Sequence, residues 1–73
     1  MKNVNQILSD LYKLPEEFKQ HVEAGEWRRA CNCYRMAVWV SEFIQMDQEA
    51  WEKLKDQFPE EQVDRAYREA GLC

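Results

Sequence analysis

Apolar residues recur along this chain at intervals of three and four, which is the spacing of amphipathic helices. The first apolar stripe consists of Val4, Ile7, Leu8 and Leu11. Asn3 stands just before this stripe and Gln6 follows three residues later, which is the pattern of a capping box at a helix N-terminus. A first helix is therefore predicted to begin after Asn3.

Prolines and glycines divide the remaining pattern into further helices. We expect Pro15 to end the first helix and to open a second, because proline fits the first turn of a helix. Gly25 and Gly71 are predicted to end helices, since glycine commonly follows a helix C-terminus. Asp47 is the predicted N-cap of a fourth helix, and Pro59 the predicted first residue of a fifth.

The longest predicted helix covers residues 26–46 and carries two apolar stripes. The first stripe consists of Trp27, Ala30, Cys31, Tyr34, Val38 and Ser41, widened by Cys33, Ala37, Val40 and Ile44. The second stripe consists of Met36, Trp39, Phe43 and Met46. A helix that is apolar on nearly all sides is buried, and a 73-residue chain has few other helices to cover it. The second stripe, with Arg35 at its rim, is therefore the candidate interface with another protein chain. The alternative is that the first and fourth predicted helices lie on either side of the long helix and bury both stripes within one chain.

The whole pattern predicts an all-α fold. No segment shows the strict apolar–polar alternation of a strand, and the chain has only two glycines and two prolines, which implies few, long elements. Three residues each of Trp, Tyr and Phe supply a core, because each aromatic side chain can bury about 150–250 Å². We expect a single domain over residues 1–73, a small bundle of four to five helices with a long central helix at residues 26–46.

The charge balance argues against a nucleic-acid partner. The formal net charge is −4, whereas nucleic-acid-binding proteins carry a basic patch or stripe. The densest basic cluster is Arg28, Arg29 and Arg35 on the long predicted helix. These arginines would contact phosphate or guanine if this helix followed the turn at Gly25 as a recognition helix. A DNA-binding regulator of the helix-turn-helix type is therefore the alternative hypothesis.

The cysteines do not have the spacing of a metal or redox site. Cys31 and Cys33 are two residues apart, and side chains at this spacing on a helix point about 200° apart. A zinc site needs further ligands, and His21 is the single histidine of the chain. We predict no catalytic, metal or cofactor site and expect both cysteines to be core residues. Cys73, which follows Gly71 at the chain end, is expected to be the most reactive thiol and Cys33 to be intermediate.

Two features of the sequence indicate the cellular compartment of the protein. The segment MKNVNQILSDLYKL has no continuous apolar core of the signal-peptide type. The longest apolar run, Met36–Val40, is far shorter than the roughly 20 residues that span a bilayer. We expect a cytoplasmic protein with reduced thiols and no membrane partner. The chain as a whole resembles the small helical proteins found in bacterial and phage genomes, although no motif carries this resemblance.

One local pattern resembles a known family. The pattern G-x-W-x-x-A-x-x-x-Y-x-x-A is formed by Gly25, Trp27, Ala30, Tyr34 and Ala37. It resembles the turn and second helix of a tetratricopeptide repeat. The resemblance implies a tight helical hairpin that closes on Ala30 and Ala37. No second copy follows at the 34-residue period of that family, so the resemblance implies neither a repeat array nor a peptide-binding groove.

These patterns together predict how the protein works. We expect a small helical interaction or structural module that acts through protein contacts and has no enzymatic activity. The expected partner is a second copy of the chain, giving a homo-oligomer, or another protein.

Overall fold

The computed structural model describes residues 3–72, and the structural statements below concern that part of the chain. Its secondary structure consists of the helices α1 (Val4–Glu23), α2 (Trp27–Phe43), α3 (Gln48–Lys55) and α4 (Glu60–Glu69). No strand occurs among residues 3–72. The predicted all-helical fold is therefore confirmed.

The first helix begins as its sequence predicts. The side-chain Oδ1 of Asn3 accepts a hydrogen bond from the backbone N–H of Gln6 at 2.9 Å. This bond satisfies one of the backbone donors that a helix N-terminus leaves without an intrahelical partner. Asn3 is therefore the N-cap of α1.

Pro15 lies inside α1, so the predicted boundary at this residue is wrong. A proline in a helix interior lacks the N–H that would bond the carbonyl four residues back, at a cost of about 3 kcal/mol. Leu11, Pro15 and Phe18 are all buried on α1, and their spacing places them on one face. Burial of this face offsets the local cost, which is why α1 continues through Pro15 as a single helix.

The second helix ends at Phe43 rather than at the predicted residue 46. Gln45 has a positive φ of 53°, and the N–H of Met46 bonds back to the carbonyl of Ser41 at 2.8 Å. This six-residue closure is the Schellman motif, whose left-handed position is normally glycine. Helices α1 and α4 end in the same way with glycine in that position, at φ values of 73° and 74°.

Replacing Gln45 with glycine is expected to raise the free energy of unfolding by about 0.5–1 kcal/mol. The left-handed conformation costs a non-glycine residue about 1–2 kcal/mol, and the greater entropy of glycine in the unfolded chain cancels about 0.4–1 kcal/mol of that gain. Urea denaturation followed by circular dichroism measures the change.

Gly25→Ala is the matched control and should lower the stability. No atom lies within 4 Å of an added Cβ at Gly25, so its cost is conformational alone. A lower stability for Gln45→Gly would contradict this account.

Helices α1 and α2 form an antiparallel hairpin. The short connection at Gly25 joins the end of α1 to the start of α2. At the other end of the pair, Ile7 near the start of α1 lines the same groove as Phe43 at the end of α2. Helix α2 packs against α4 as well as against α1. Two sides of α2 are therefore covered from within the chain.

A chain of aromatic contacts joins α1, α2 and α4 through the connection that precedes α4. Phe58, in the connection between α3 and α4, packs edge-to-face on Phe18 of α1, with ring centroids 5.3 Å apart. Phe58 makes the same kind of contact with Tyr34 of α2, also at 5.3 Å, and Tyr34 contacts Tyr67 of α4 at 6.0 Å. Edge-to-face pairs add about 0.5–1.5 kcal/mol beyond the area that they bury. The remaining buried apolar residues are Leu11, Ala30, Cys31, Cys33, Ala37, Leu54, Val63 and Ala66.

Candidate protein-contact surface

The outward face of α2 carries three exposed apolar side chains, here called the Trp39 patch: Met36, Trp39 and Phe43. Their exposed fractions are 50%, 61% and 69%. The rings of Trp39 and Phe43 lie one turn apart and stack, with centroids 5.8 Å apart and planes inclined by 23°. The structure therefore brings together three of the four residues of the predicted second stripe in one exposed apolar surface.

Met46 does not belong to this surface. It is partly buried and packs against the core. The helix ends at Phe43, and the left-handed Gln45 turns the chain, so Met46 leaves the helical face on which the sequence placed it. The exposed apolar surface on α2 therefore consists of Met36, Trp39 and Phe43 without Met46.

A groove between α1 and α2 extends the Trp39 patch. Its volume is about 520 Å³. The apolar residues that line it are the three of the patch together with Val40, Ile7, Leu11 and Leu14. Asp10, Lys13 and Glu17 of α1 add charged groups. The patch and the groove form one continuous surface, apolar along its length with charges at the α1 edge.

Sequence reasoning missed the α1 side of this groove because it divided α1 at Pro15. A signal for the continuous helix was present. Ile7, Leu11, Leu14 and Phe18 follow one another at intervals of four, three and four residues. This spacing is one apolar stripe that crosses the proline without a change of phase.

Arg35 and Glu42 form the polar flank of the outward face of α2. Both side chains are exposed, and they stand seven residues apart, so they lie on nearly the same side of the helix. Neither residue forms an ion pair within residues 3–72.

The cation–π contact seen in this part of the chain joins Arg65 to Trp27, with the guanidinium carbon 4.4 Å from the ring centroid. Sequence reasoning did not foresee that contact, because the two residues lie on different helices.

The basic cluster on α2 is exposed and partly neutralised. Arg28, Arg29 and Arg35 are all exposed. The Nε of Arg29 lies 3.8 Å from a carboxylate oxygen of Glu26. The other oxygen of this carboxylate lies 3.1 Å from Nδ1 of His21. Two of the three arginines thus have no acidic partner in the part of the chain described.

Cys31 and Cys33 both lie in the core. Cys31 is 1% exposed and Cys33 is 9% exposed. Burial, and secondly the negative charge of Glu17, raise the pKa of the Cys33 thiol above its ordinary value of 9.0. Cys73 lies outside the described residues. Within residues 3–72 no group of three or more His, Cys, Asp or Glu side chains is placed to hold a metal ion.

Thiol labelling of the native protein is expected to modify Cys31 most slowly and Cys33 next. Only the thiolate reacts, and a raised pKa keeps Cys33 mostly protonated at pH 8. Its labelling rate should therefore still be rising with pH above pH 9, whereas Cys73 should react fastest throughout. Mass mapping after timed labelling measures all three rates. Equal rates for Cys31 and Cys73 would contradict the assignment of the buried face.

One cavity within residues 3–72 is lined by several charged side chains that are exposed to solvent. It has a volume of about 610 Å³ and lies beside the connection from α3 to α4. Its charged lining residues are Glu52, Lys55, Asp56, Glu60 and Asp64. All five are exposed, and solvated charges at helix ends are common features of helix surfaces.

No helix within residues 3–72 has the length and apolar character needed to cross a membrane. Comparison of the chain with protein-family models, with curated proteins and with solved structures finds no match.

Proposed function

We propose that this chain is a protein–protein contact module that self-associates through the Trp39 patch and the adjoining groove. The observation that carries the proposal is the stacked pair of Trp39 and Phe43, which are 61% and 69% exposed. An exposed apolar patch on a small protein commonly marks a contact site. Tryptophan is also enriched among the residues that carry the binding energy of interfaces.

The composition of the core supports this proposal. The largest fully buried side chains are Phe18, Leu11, Leu54 and Cys31, and none of them belongs to the Trp39 patch. The first apolar stripe of α2 supplies the buried residues Ala30, Cys31 and Ser41. Apart from Met46, the residues of the second stripe on α2 stay exposed and are not covered by residues 3–72. Its exposed residues are therefore available to another chain.

Helix α2 has a central place in the proposed function. It contacts α1 on one side and α4 on another, and the Trp39 patch lies on the side that remains. We propose that α2 is the central helix of the bundle and the element that presents the contact surface. In this proposal the protein acts in the cytoplasm through protein contacts, without catalysis or a cofactor.

Hydroxyl-radical footprinting at two protein concentrations tests the proposal. Met36, Trp39 and Phe43 should be oxidised readily in dilute solution and protected in concentrated solution. Tyr12 is the internal control, because it is an exposed aromatic residue of α1 that does not line the groove. Its oxidation should not depend on concentration. Equal oxidation of the Trp39 patch at both concentrations would contradict self-association through this surface.

A helix-turn-helix DNA-binding regulator remains the second candidate function. The observation that favours it is the exposure of Arg28, Arg29 and Arg35 on the helix that follows Gly25. The net charge of −4 opposes it. Electrophoretic mobility shifts over a range of salt concentrations test this candidate, because phosphate contacts lose affinity steeply as salt rises. Absence of binding at low salt would remove it.

A further inference from the structure

The outward face of α2 has two different flanks on either side of Trp39. At about 100° per residue, Arg35 and Glu42 lie about 40° and 60° to one side of Trp39, and Met36 and Phe43 lie about 60° and 40° to the other. All five residues are exposed. One flank is therefore charged and the other apolar, with the indole between them.

On each flank, one residue precedes Trp39 and the other follows it at nearly the same distance along the helix axis. On the charged flank, Arg35 precedes Trp39 by four residues and Glu42 follows it by three. On the apolar flank, Met36 precedes Trp39 by three residues and Phe43 follows it by four. A second α2 laid across the first in the opposite direction would therefore place the positive end of one charged flank against the negative end of the other.

The geometry points to a two-fold homodimer in which the α2 helices of two copies pack antiparallel across Trp39. This inference rests on the proposed function and names the partner as a second copy of the chain. The two-fold axis is perpendicular to both helices and passes beside Trp39. It places the charged flank of one copy against the charged flank of the other, and the apolar flank against the apolar flank, with the two helices running in opposite directions. Arg35 of each copy then faces Glu42 of the other, and Met36 of each copy faces Phe43 of the other.

Other arrangements of two copies match less well. A parallel pair, related by a two-fold axis along the helices, sets the charged flank of one copy against the apolar flank of the other. That arrangement would desolvate Arg35 and Glu42 without opposite charges to pair with them, which is costly. The antiparallel pair instead uses two charges that have no ion-pair partner within residues 3–72.

The groove beside the Trp39 patch adds contact area in this dimer. It opens on the apolar flank of α2, where Met36 and Phe43 form part of its lining. The apolar flank of the second copy therefore lies against the α1 side as well, at Ile7 and Leu14. One helical face with its adjoining groove is a small interface, so the dimer should dissociate on dilution.

Charge reversal tests the antiparallel pairing. Arg35→Glu and Glu42→Arg should each weaken homodimerisation at least tenfold in sedimentation equilibrium, because each change places like charges opposite each other twice. An equimolar mixture of the two variants should recover the affinity of the wild type. In the mixed dimer one copy carries two acids and the other carries two bases, so both ion pairs form again. The double variant R35E/E42R should also recover dimerisation.

Arg68→Glu is the matched control for Arg35→Glu, because it makes the same change in net charge at an exposed position of α4. It should dimerise like the wild type. All of these substitutions are at exposed positions, and circular dichroism verifies that each variant is folded.

Failure of the mixture to recover affinity would overturn the antiparallel pairing. If the charge variants associate normally and Trp39→Ser does not, self-association through the Trp39 patch is supported but the antiparallel pairing is wrong. If the wild type is monomeric at every concentration, both are overturned.

Discussion

Phe18→Ala is expected to lower the free energy of unfolding by about 3–5 kcal/mol, the usual cost of removing a buried phenyl ring. Phe18 has no exposed surface, and its ring packs edge-to-face on Phe58. A 73-residue domain has a total stability of about 4–11 kcal/mol at typical values per residue. The substitution should therefore remove from about a quarter to all of the stability of the domain.

Urea denaturation followed by circular dichroism measures this effect. Tyr12→Ala is the matched control, because it removes an aromatic ring from the same helix at a position that is 50% exposed. It should change the stability by about 1 kcal/mol or less. If Phe18→Ala were no more destabilising than Tyr12→Ala, the aromatic contacts through Phe58 would not hold the helices together as described.

The double variant W39S/F43S is expected to lose self-association while it keeps its fold. Interface aromatic residues of this kind cost about 2 kcal/mol or more on truncation, so the dissociation constant should rise at least 30-fold. The free energy of unfolding of the monomer should change by only about 1 kcal/mol, because both side chains are mostly exposed within the chain.

Stability and association must be measured on the same double variant. Urea denaturation at low protein concentration gives the stability of the monomer, and sedimentation gives the association. A second variant, Y12S, controls for the loss of an exposed aromatic residue outside the Trp39 patch. If W39S/F43S unfolds, Trp39 and Phe43 belong to the core, and the contact surface has to be withdrawn.

The parts of the fold that depend on local rules were predictable from the sequence. The apolar spacing after Asn3 predicts α1, and the capping bond to Gln6 is present. Glycine after an apolar stripe predicts the ends of α1 and α4, and Gly25 and Gly71 have the left-handed φ values that this role requires. These predictions succeed because each depends on a few neighbouring residues.

The remaining features depend on contacts between distant residues. Pro15 stays helical because Leu11 and Phe18 are buried on the same face of α1, and a rule for isolated helices does not include that burial. The early end of α2 requires a left-handed glutamine, Gln45, which has no sequence signal comparable with glycine. For the same reason Met46 packs against the core instead of continuing the helical face of Trp39. The groove beside Trp39 was missed because it needs a continuous α1.

Sedimentation equilibrium of the wild type, over concentrations that span the micromolar to millimolar range of weak interfaces, tests the central claim most directly. We expect a mass that rises above the 8.8 kDa of the single chain as concentration increases. The variant W39S/F43S should stay at the single-chain mass under the same conditions. A wild type that stays at 8.8 kDa at every concentration would contradict self-association through the Trp39 patch.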